Sequence, residues 1–146
     1  MDKLDKLDEV VELICNLDDM PPEEIAFAQQ LLLDEGALDV FTMPIGMKKG
    51  RIGVLLTCMC SHKLRDKMAG LMFKHTTTLG IREKVSRRYV LERRVDHIET
   101  QHGPVRVKTS YGYGVEKSKA EYDDIARIAR DKGMAFADVV REVTGS

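Results

Sequence analysis

The amino-acid sequence predicts an α+β fold: a ferredoxin-like βαββαβ sheet unit over residues 10–94, followed by a smaller β-hairpin and two-helix unit over residues 95–146. Apolar residues alternate with period two in some segments and recur every three or four residues in others, in the order strand-helix-strand-strand-helix-strand. The length of 146 residues, with 43% hydrophobic and 32% charged residues, is typical of globular proteins. Residues 1–9 (MDKLDKLDE) are predicted to be a disordered tail.

Two prolines separate the first predicted strand from the first predicted helix. Residues 10–18 (VVELICNLD) alternate apolar and polar side chains, as a half-buried strand does. Pro21 and Pro22 suit the first turn of a helix, where the missing N–H group has no intrahelical partner. The apolar stripe that follows ends at Gly36, a residue type that favours helix C-termini.

Three more strands and a second helix complete the predicted sheet unit. Strands are expected over 37–45 and 51–60, and the second is apolar on both faces, which indicates a central position. Ser61 is the expected N-cap of the second helix, and Thr76–Thr78 is expected to end it because β-branched residues suit helices poorly. Residues 79–95 are predicted to form one long strand.

The smaller unit is predicted to begin with a hairpin. Its strands are expected over 95–100 and 105–110, joined by the loop Gln101–Pro104. The segment Ser118–Glu121 (SKAE) fits a capping box, which predicts the start of a helix. A final helix is predicted from an apolar i, i+3, i+4, i+7 pattern that begins at Phe136.

The net charge of −1 conceals a strong asymmetry along the chain. Residues 1–45 carry a net charge of −10, residues 46–119 carry +11 and residues 120–146 carry −2. A basic block in a nearly neutral protein predicts either an anion-binding site or an oppositely charged partner surface.

Composition argues against several classes of protein. Nucleic-acid binding is disfavoured, because tryptophan is absent and only 5% of residues are aromatic, so base-stacking side chains are scarce. No apolar run approaches the roughly 20 residues that span a bilayer, and the N-terminus does not resemble a secretory signal. Three cysteines do not suggest a disulfide framework, and we expect a reducing cytoplasm.

The adjacent carboxylates Asp18 and Asp19 follow the first predicted strand. Carboxylates at a strand end can hold Mg²⁺ or Mn²⁺, which prefer oxygen ligands. Aspartates in such positions also cap turns and helices, so the residues alone leave both interpretations open.

The loop Lys48-Lys49-Gly50-Arg51 combines three cations with nearby glycines. Glycines let backbone amides approach an anion, and Lys and Arg neutralise phosphate charge. The spacing is not that of a Walker A loop, and a solvated hairpin tip is the alternative interpretation.

Two other groups of residues could carry chemistry. Thr76–Arg82 contributes three hydroxyls and an arginine that could line a polar pocket, or whose threonines could satisfy only local backbone groups. Cys58 and Cys60 lie on one face of a buried strand, and Cys15 could join them on a soft metal; buried cysteines more often pack as small apolar residues.

Five segments, taken together, resemble the C-terminal part of the LarC nickel-insertion proteins, formerly a domain of unknown function. The resemblance runs in order over about residues 10–143 and rests on Asn16–Met20, Asp34–Val40, Pro44–Val54, Thr76–Arg82 and Lys119–Asp124.

The resemblance implies an activity and a set of ligands. Members of this family are CTP-dependent nickel insertases, of the lyase class, that place Ni²⁺ into pyridinium-3,5-bisthiocarboxylic acid mononucleotide to make the nickel-pincer cofactor of lactate racemase. Their C-terminal part binds CTP with Mn²⁺ or Mg²⁺ and assembles into trimers or hexamers.

Carried onto this chain, the resemblance implies a set of site residues. The expected metal ligands are Asp18 and Asp19. The expected nucleotide contacts are Lys48, Lys49, Arg51, Thr78, Arg82, Lys108, Lys117 and Tyr122.

This chain departs from the family pattern in two places. The family has a larger N-terminal portion with a histidine-rich segment, so we expect this chain to be a separate subunit, a second translation product or a part of a longer protein, and to need that portion for turnover. Ile14-Cys15-Asn16-Leu17 also stands where relatives have Glu-Thr-Asn-Ile, which removes a carboxylate from the neighbourhood of Asp18.

Two alternatives come from other functional classes. A structural assembly domain would join the acidic block of one subunit to the basic block of another, and such contacts would loosen at high salt. A small-molecule sensor on a ferredoxin-like sheet rests on analogy of fold alone.

Overall fold

The computed structural model describes residues 8–145, which divide into two compact units between Tyr89 and Val90. The elements of the first unit are β1 (Asp8–Leu17), α1 (Pro22–Asp34), β2 (Asp39–Gly46), β3 (Ile52–Cys60), α2 (Arg65–His75) and β4 (Arg82–Arg88). The second unit contains β5 (Glu92–Thr100), β6 (Gly103–Gly112), β7 (Val115–Ala120), α3 (Tyr122–Lys132) and α4 (Phe136–Thr144).

The first unit has the predicted ferredoxin-like topology. Its strands lie in the order β2-β3-β1-β4, and every neighbouring pair is antiparallel. The two βαβ halves therefore interleave, because β3 lies between β1 and β2, and β1 lies between β3 and β4. The α+β fold class is confirmed.

One face of this sheet carries the core of the first unit. The register places alternate residues of β1 and β3 on the same face, where they pack with side chains of α1 and α2. The fully buried members include Val11, Cys15, Leu56, Met68 and Met72.

Helix α1 begins as the two prolines predict. Pro21 is the N-cap and Pro22 the first helical residue, and Glu23 and Glu24 add negative charge to the first turn. The second helix differs from the prediction, because Ser61 makes no side-chain capping bond and precedes a 3₁₀ turn, His62–Leu64, before α2.

The predicted single strand over 79–95 is wrong. The register of β4 against β1 ends where Arg88 pairs with Asp8, and β5 begins at Glu92 in the other sheet, opposite Tyr111. Hydrophobic period alone cannot reveal that break, because each half follows a different partner strand.

The second unit is a three-stranded antiparallel meander, β5-β6-β7, with its own core. Val105, Ile125, Ile128 and Val139 are buried together, which brings α3 and α4 onto one face of the sheet. The predicted hairpin is present, but its turn is shorter than expected, because Thr100 still pairs with Gly103.

The predicted capping box over Ser118–Glu121 is wrong. Ser118 lies in β7 opposite Thr109, and the two hydroxyls are 2.8 Å apart in a hydrogen bond. Helix α3 begins after Glu121, which makes no side-chain capping bond. Instead, Asp124 anchors the helix, because its carboxylate accepts hydrogen bonds from the backbone N–H (2.8 Å) and guanidinium (3.0 Å) of Arg106.

The Arg106–Asp124 contact also makes the Asp124 carboxyl group more acidic. Hydrogen bonds from Arg106 hold the pKa of Asp124 below its ordinary value.

Two predictions concern the ends and surroundings of the chain. Of the tail predicted over residues 1–9, residues 1–7 lie outside the described residues, and Asp8 and Glu9 begin β1. No helix among the described residues is long and apolar enough to cross a membrane.

Candidate functional site

A group of polar side chains gathers where β1 ends and where β3 and β4 begin. Because both neighbours of β1 run antiparallel to it, their first residues meet its last ones at one end of the sheet. We call this group, together with the turn before β3, the strand-end cluster; it consists of Asn16, Asp18, Asp19, Lys48, Lys49, Arg51, Thr77, Thr78 and Arg82.

Asp18 and Arg51 form the first contact of the strand-end cluster. An Asp18 carboxylate oxygen accepts a hydrogen bond from the Arg51 guanidinium at 3.1 Å. The Asp18 side chain is 22% exposed and that of Arg51 is 60% exposed, so the pair lies at the surface with one side open to solvent. A ligand can therefore reach both charges.

The turn before Arg51 presents the two predicted lysines. Lys48–Gly50 form a 3₁₀ turn between β2 and β3, and the Met47 N–H closes the turn onto the Arg51 carbonyl at 2.7 Å. Lys49 has a φ of 63°, a left-handed conformation that is uncommon for a side-chain-bearing residue. Both lysines are exposed, so their ammonium groups are available to an anion.

Asp19 is held by the loop that precedes β4. Its carboxylate accepts a hydrogen bond from the Thr77 hydroxyl at 2.6 Å. The other two threonines make local bonds: Thr76 donates to the Met72 carbonyl at the end of α2 (2.7 Å), and Thr78 donates to the Gly80 carbonyl (2.8 Å). Thr76 and Thr78 thus satisfy local backbone groups, as one of the two interpretations predicts, whereas Thr77 bonds a side chain 58 positions away in the sequence.

Arg82 closes the strand-end cluster on the β4 side. Its guanidinium donates to the Asn16 side-chain carbonyl at 3.1 Å. The buried thiol of Cys15 lies beneath this edge; burial raises its pKa, and a hydrogen bond with Thr78 and the positive charge of Arg82 oppose part of that rise. A neutral thiol here acts as a core residue.

The other two cysteines are also part of the core. Cys58 and Cys60 are fully buried, and both are free thiols. Burial is the larger cause and the nearby Cys60 the smaller one that together raise the pKa of Cys58 to about 12. Among residues 8–145 no three His, Cys, Asp or Glu side chains converge on a point that could hold a metal ion. The soft-metal interpretation of the cysteines is therefore without structural support in this part of the chain.

The strand-end cluster contains two carboxylates, the ligand type that Mg²⁺ and Mn²⁺ prefer. Mg²⁺ on a triphosphate takes one or two carboxylates, and phosphate oxygens and water supply its remaining ligands. Asp18 and Asp19 are neighbours in the sequence, and each accepts one hydrogen bond, from Arg51 and from Thr77 respectively. The four cations Lys48, Lys49, Arg51 and Arg82 exceed these two carboxylates in charge.

The remaining predicted site residues lie in the second unit. Lys108 pairs with Glu121 (Nζ to Oε1, 3.2 Å), and Lys117 lies opposite Ser110 in the sheet. The Tyr122 ring is 5.4 Å from that of Phe136, centroid to centroid, and 63% of the residue is exposed.

Sequence reasoning missed several residues of the two units. Asn16 and Thr77 lie inside the segments that resemble the family, but neither is among the predicted site residues. An amide and a hydroxyl next to charged residues could have indicated them. Arg93 and Lys119 line a concavity of about 340 Å³ in the second unit, together with Lys108 and Lys117. Another concavity, of about 450 Å³ near Glu23 and His75, contains none of the predicted residues.

The fold and the strand-end cluster define an α+β protein with exposed cations and two aspartates at one end of an antiparallel sheet. Residues 2–140 match the nickel insertion protein family, and the chain belongs to this family.

Curated relatives cover nearly the whole chain. It is 41% identical over 132 residues to the pyridinium-3,5-bisthiocarboxylic acid mononucleotide nickel insertion protein of Acetivibrio thermocellus, which covers 90% of this chain and 32% of that protein. It is 43% identical over 138 residues to the protein of the same name from Geobacillus kaustophilus, which covers 94% and 34%. The chain thus spans about a third of the length of these relatives.

Two solved structures resemble the fold. One is LarC2, the C-terminal domain of a cyclometallase involved in the synthesis of the NPN cofactor of lactate racemase, in its apo form; it matches with a TM-score of 0.87 and 32% identity over 95% of this chain and 96% of that one. The other, a protein from Methanopyrus kandleri, matches with a TM-score of 0.72 and 23% identity over 92% and 85% of the two chains, and shows the fold alone.

Proposed function

We propose that this chain is the CTP- and metal-binding module of a CTP-dependent nickel insertase, a lyase that makes the nickel-pincer cofactor of lactate racemase. The observation that supports this most is the contact of Asp18 with Arg51, at the end of the turn that carries Lys48 and Lys49. A nucleotide triphosphate carries both the charge that the cations would neutralise and the metal ion that the carboxylates would hold.

The residues of the strand-end cluster would have different roles in binding the nucleotide and the metal ion. Lys48, Lys49 and Arg51 would bind the phosphate oxygens, and Thr78 and Arg82 would contact the nucleotide from the β4 side. Asp18 and Asp19 would hold Mn²⁺ or Mg²⁺, which supplies charge neutralisation and polarises a phosphoryl oxygen when bound. Asp18 would exchange its contact with Arg51 for the metal ion, which frees Arg51 for phosphate.

The rest of the reaction needs other components. Ni²⁺ and pyridinium-3,5-bisthiocarboxylic acid mononucleotide would be the substrates, and the relatives' remaining two thirds would supply an N-terminal partner portion. We also propose a cytoplasmic homo-oligomer, a trimer or a hexamer.

A thermal-shift experiment tests the nucleotide site. CTP, ATP, GTP and UTP would each be added with Mn²⁺ and with EDTA. A ligand at about 100 times its Kd stabilises by roughly 2.7 kcal/mol, which raises the Tm by several degrees. We expect a rise with CTP and Mn²⁺ that EDTA removes.

Variants test whether this rise in Tm arises from CTP binding at the strand-end cluster. Lys48→Ala and Lys49→Ala should weaken CTP binding and make it less sensitive to salt. Lys63→Ala is the matched control, because Lys63 is exposed and follows β3 at the opposite end of the same sheet. Unchanged affinity in both Lys48→Ala and Lys49→Ala, or the same loss in Lys63→Ala, would contradict the assignment.

A further inference from the structure

The outer face of the second sheet collects basic side chains from three strands. The register aligns Arg93 of β5, Ser110 of β6 and Lys117 of β7 in one row across the sheet. In the next row Lys108 lies directly opposite Lys119. We call the four cations Arg93, Lys108, Lys117 and Lys119 the basic face.

The basic face lies on the side of the sheet away from the core. Side chains alternate along a strand, and Val105 and Val107 of β6 pack with the core of this unit. Lys108 and Ser110 therefore point to the other side, and all four cations are exposed.

The positive charges of the basic face are poorly balanced. Lys108 pairs with Glu121 at 3.2 Å, whereas Arg93, Lys117 and Lys119 make no ion pair with any residue among positions 8–145. Three of the four charges thus lack a counter-charge within the described part of the chain. Like charges directly opposite each other, as at Lys108 and Lys119, destabilise a sheet, so this arrangement carries a cost in the free protein.

The basic face is also concave. A depression of about 340 Å³ is lined by its four cations together with Ser110 and Ser118. Small-molecule sites in proteins are typically of about 300–1,000 Å³, so the depression suits a ligand of mononucleotide size rather than an isolated ion. No aromatic side chain lines it, which disfavours single-stranded nucleic acid.

We propose that the basic face is a second anion site, which binds a phosphate-bearing small molecule without a divalent metal ion. Lysine and arginine bind phosphate by charge and hydrogen bonding, and Ser110 adds a hydroxyl donor. The lining contains no carboxylate that could hold a metal ion, in contrast to the strand-end cluster. This inference stands whether or not the first unit binds CTP.

Two sources could supply such a phosphate: the tail of a nucleoside triphosphate, or the 5′-phosphate of a pyridinium mononucleotide such as the substrate named in the relatives. Isothermal titration of the full chain in EDTA with pyrophosphate, CTP and nicotinic acid mononucleotide separates them. Tighter binding of the mononucleotide than of CTP identifies the substrate class, and the reverse order identifies the triphosphate.

The decisive variant is Lys117→Gln combined with Lys119→Gln. We expect about tenfold weaker binding of the preferred phosphate ligand in EDTA and a shallower salt dependence. Lys132→Gln, at the end of α3, is the matched control in the same unit and should leave this metal-free binding unchanged.

The unliganded variant provides a second measurement. Lys119→Gln removes the repulsion with Lys108, so its Tm without ligand should be equal to or above that of the natural protein, which separates lost binding from lost folding. No binding of any of the three ligands in EDTA, or equal binding by the double variant, would overturn the proposal.

Discussion

Gly53 determines how closely the start of β3 approaches the end of β1. A Cβ atom at this position would lie 2.6 Å from the Leu17 carbonyl oxygen and 2.5 Å from the sulfur of Met47. Both distances are far shorter than carbon contacts allow, and the carbonyl belongs to a backbone that the sheet holds in place. The glycine therefore allows Arg51, two residues earlier, to reach Asp18.

Gly53→Ala should disturb this approach. We expect a loss of stability of about 1–3 kcal/mol, as for other overpacked sites, and weaker CTP binding with Mn²⁺ because Arg51 moves away from Asp18. Chemical denaturation and titration measure the two effects.

Gly70→Ala is the matched control for this variant. Gly70 lies in α2 and nothing stands within 4 Å of its added Cβ, so this change should stabilise the helix by about 0.5–1 kcal/mol. If Gly53→Ala were as stable as the natural protein and bound CTP equally well, the close approach would have no role in the site.

At the scale of elements, the turn between β2 and β3 combines strain with charge. Lys49 occupies the left-handed region at φ 63°, where a side-chain-bearing residue is less favourable than glycine by about 1 kcal/mol. Backbone strain at an exposed residue is expected where that residue has a functional role. We propose that this role is to present an ammonium group to phosphate, beside Lys48 and Arg51.

Lys49→Gly should therefore stabilise the protein while it weakens CTP binding. Lys48→Gly removes the same charge at a position without a positive φ, so it should weaken binding without a gain in stability. Urea denaturation and titration with CTP and Mn²⁺ would compare the two. A Lys49→Gly variant that binds CTP as well as the natural protein would assign the strain to folding alone.

The elements also show which parts of the fold can be predicted from sequence patterns. Hydrophobic period and proline placement predict β1, α1 and the central position of β3, because each of these depends on local contacts and burial. β7 was missed because its sequence is polar and its Ser118–Glu121 segment imitates a helix start. The chain reverses direction at Gly112–Gly114, where all three residues have a positive φ. The segment after this turn is a strand because its backbone pairs with that of β6.

The strand-end cluster shows the same limit at a longer range. Asp18 and Arg51 were both identified as candidates from the sequence, but their contact depends on the β1–β3 register, which joins residues 33 positions apart. The basic face depends on two registers at once, so Arg93 and Lys119 could not be grouped with Lys108 by their spacing. Patterns identify residue types that carry chemistry; strand pairing decides which of them meet.

At the scale of the whole molecule, the acidic and basic blocks of the sequence meet within the chain. Asp8 pairs with Arg88 at 2.6 Å, Asp18 with Arg51 at 3.1 Å, and Glu35 with Lys67 at 2.7 Å. Each of these pairs joins residues 1–45 to residues 46–119. The antiparallel pairing of β1 with β3 and β4 explains the Asp8 and Asp18 pairs, because it places Asp8 opposite Arg88 of β4 and brings the end of β1 to the start of β3, which Arg51 precedes.

These internal pairs lead to a prediction about salt. Raising NaCl from about 0.1 M to about 1 M shortens the Debye length from about 10 Å to about 3 Å and screens exposed ion pairs, which contribute about 0–1 kcal/mol each. We therefore expect a small decrease in the Tm of the chain and no change in its oligomeric state, measured by light scattering after size exclusion. Dissociation into monomers at high salt would instead favour the alternative in which the acidic block of one subunit binds the basic block of another, because a charge-matched interface loses its attraction under the same screening.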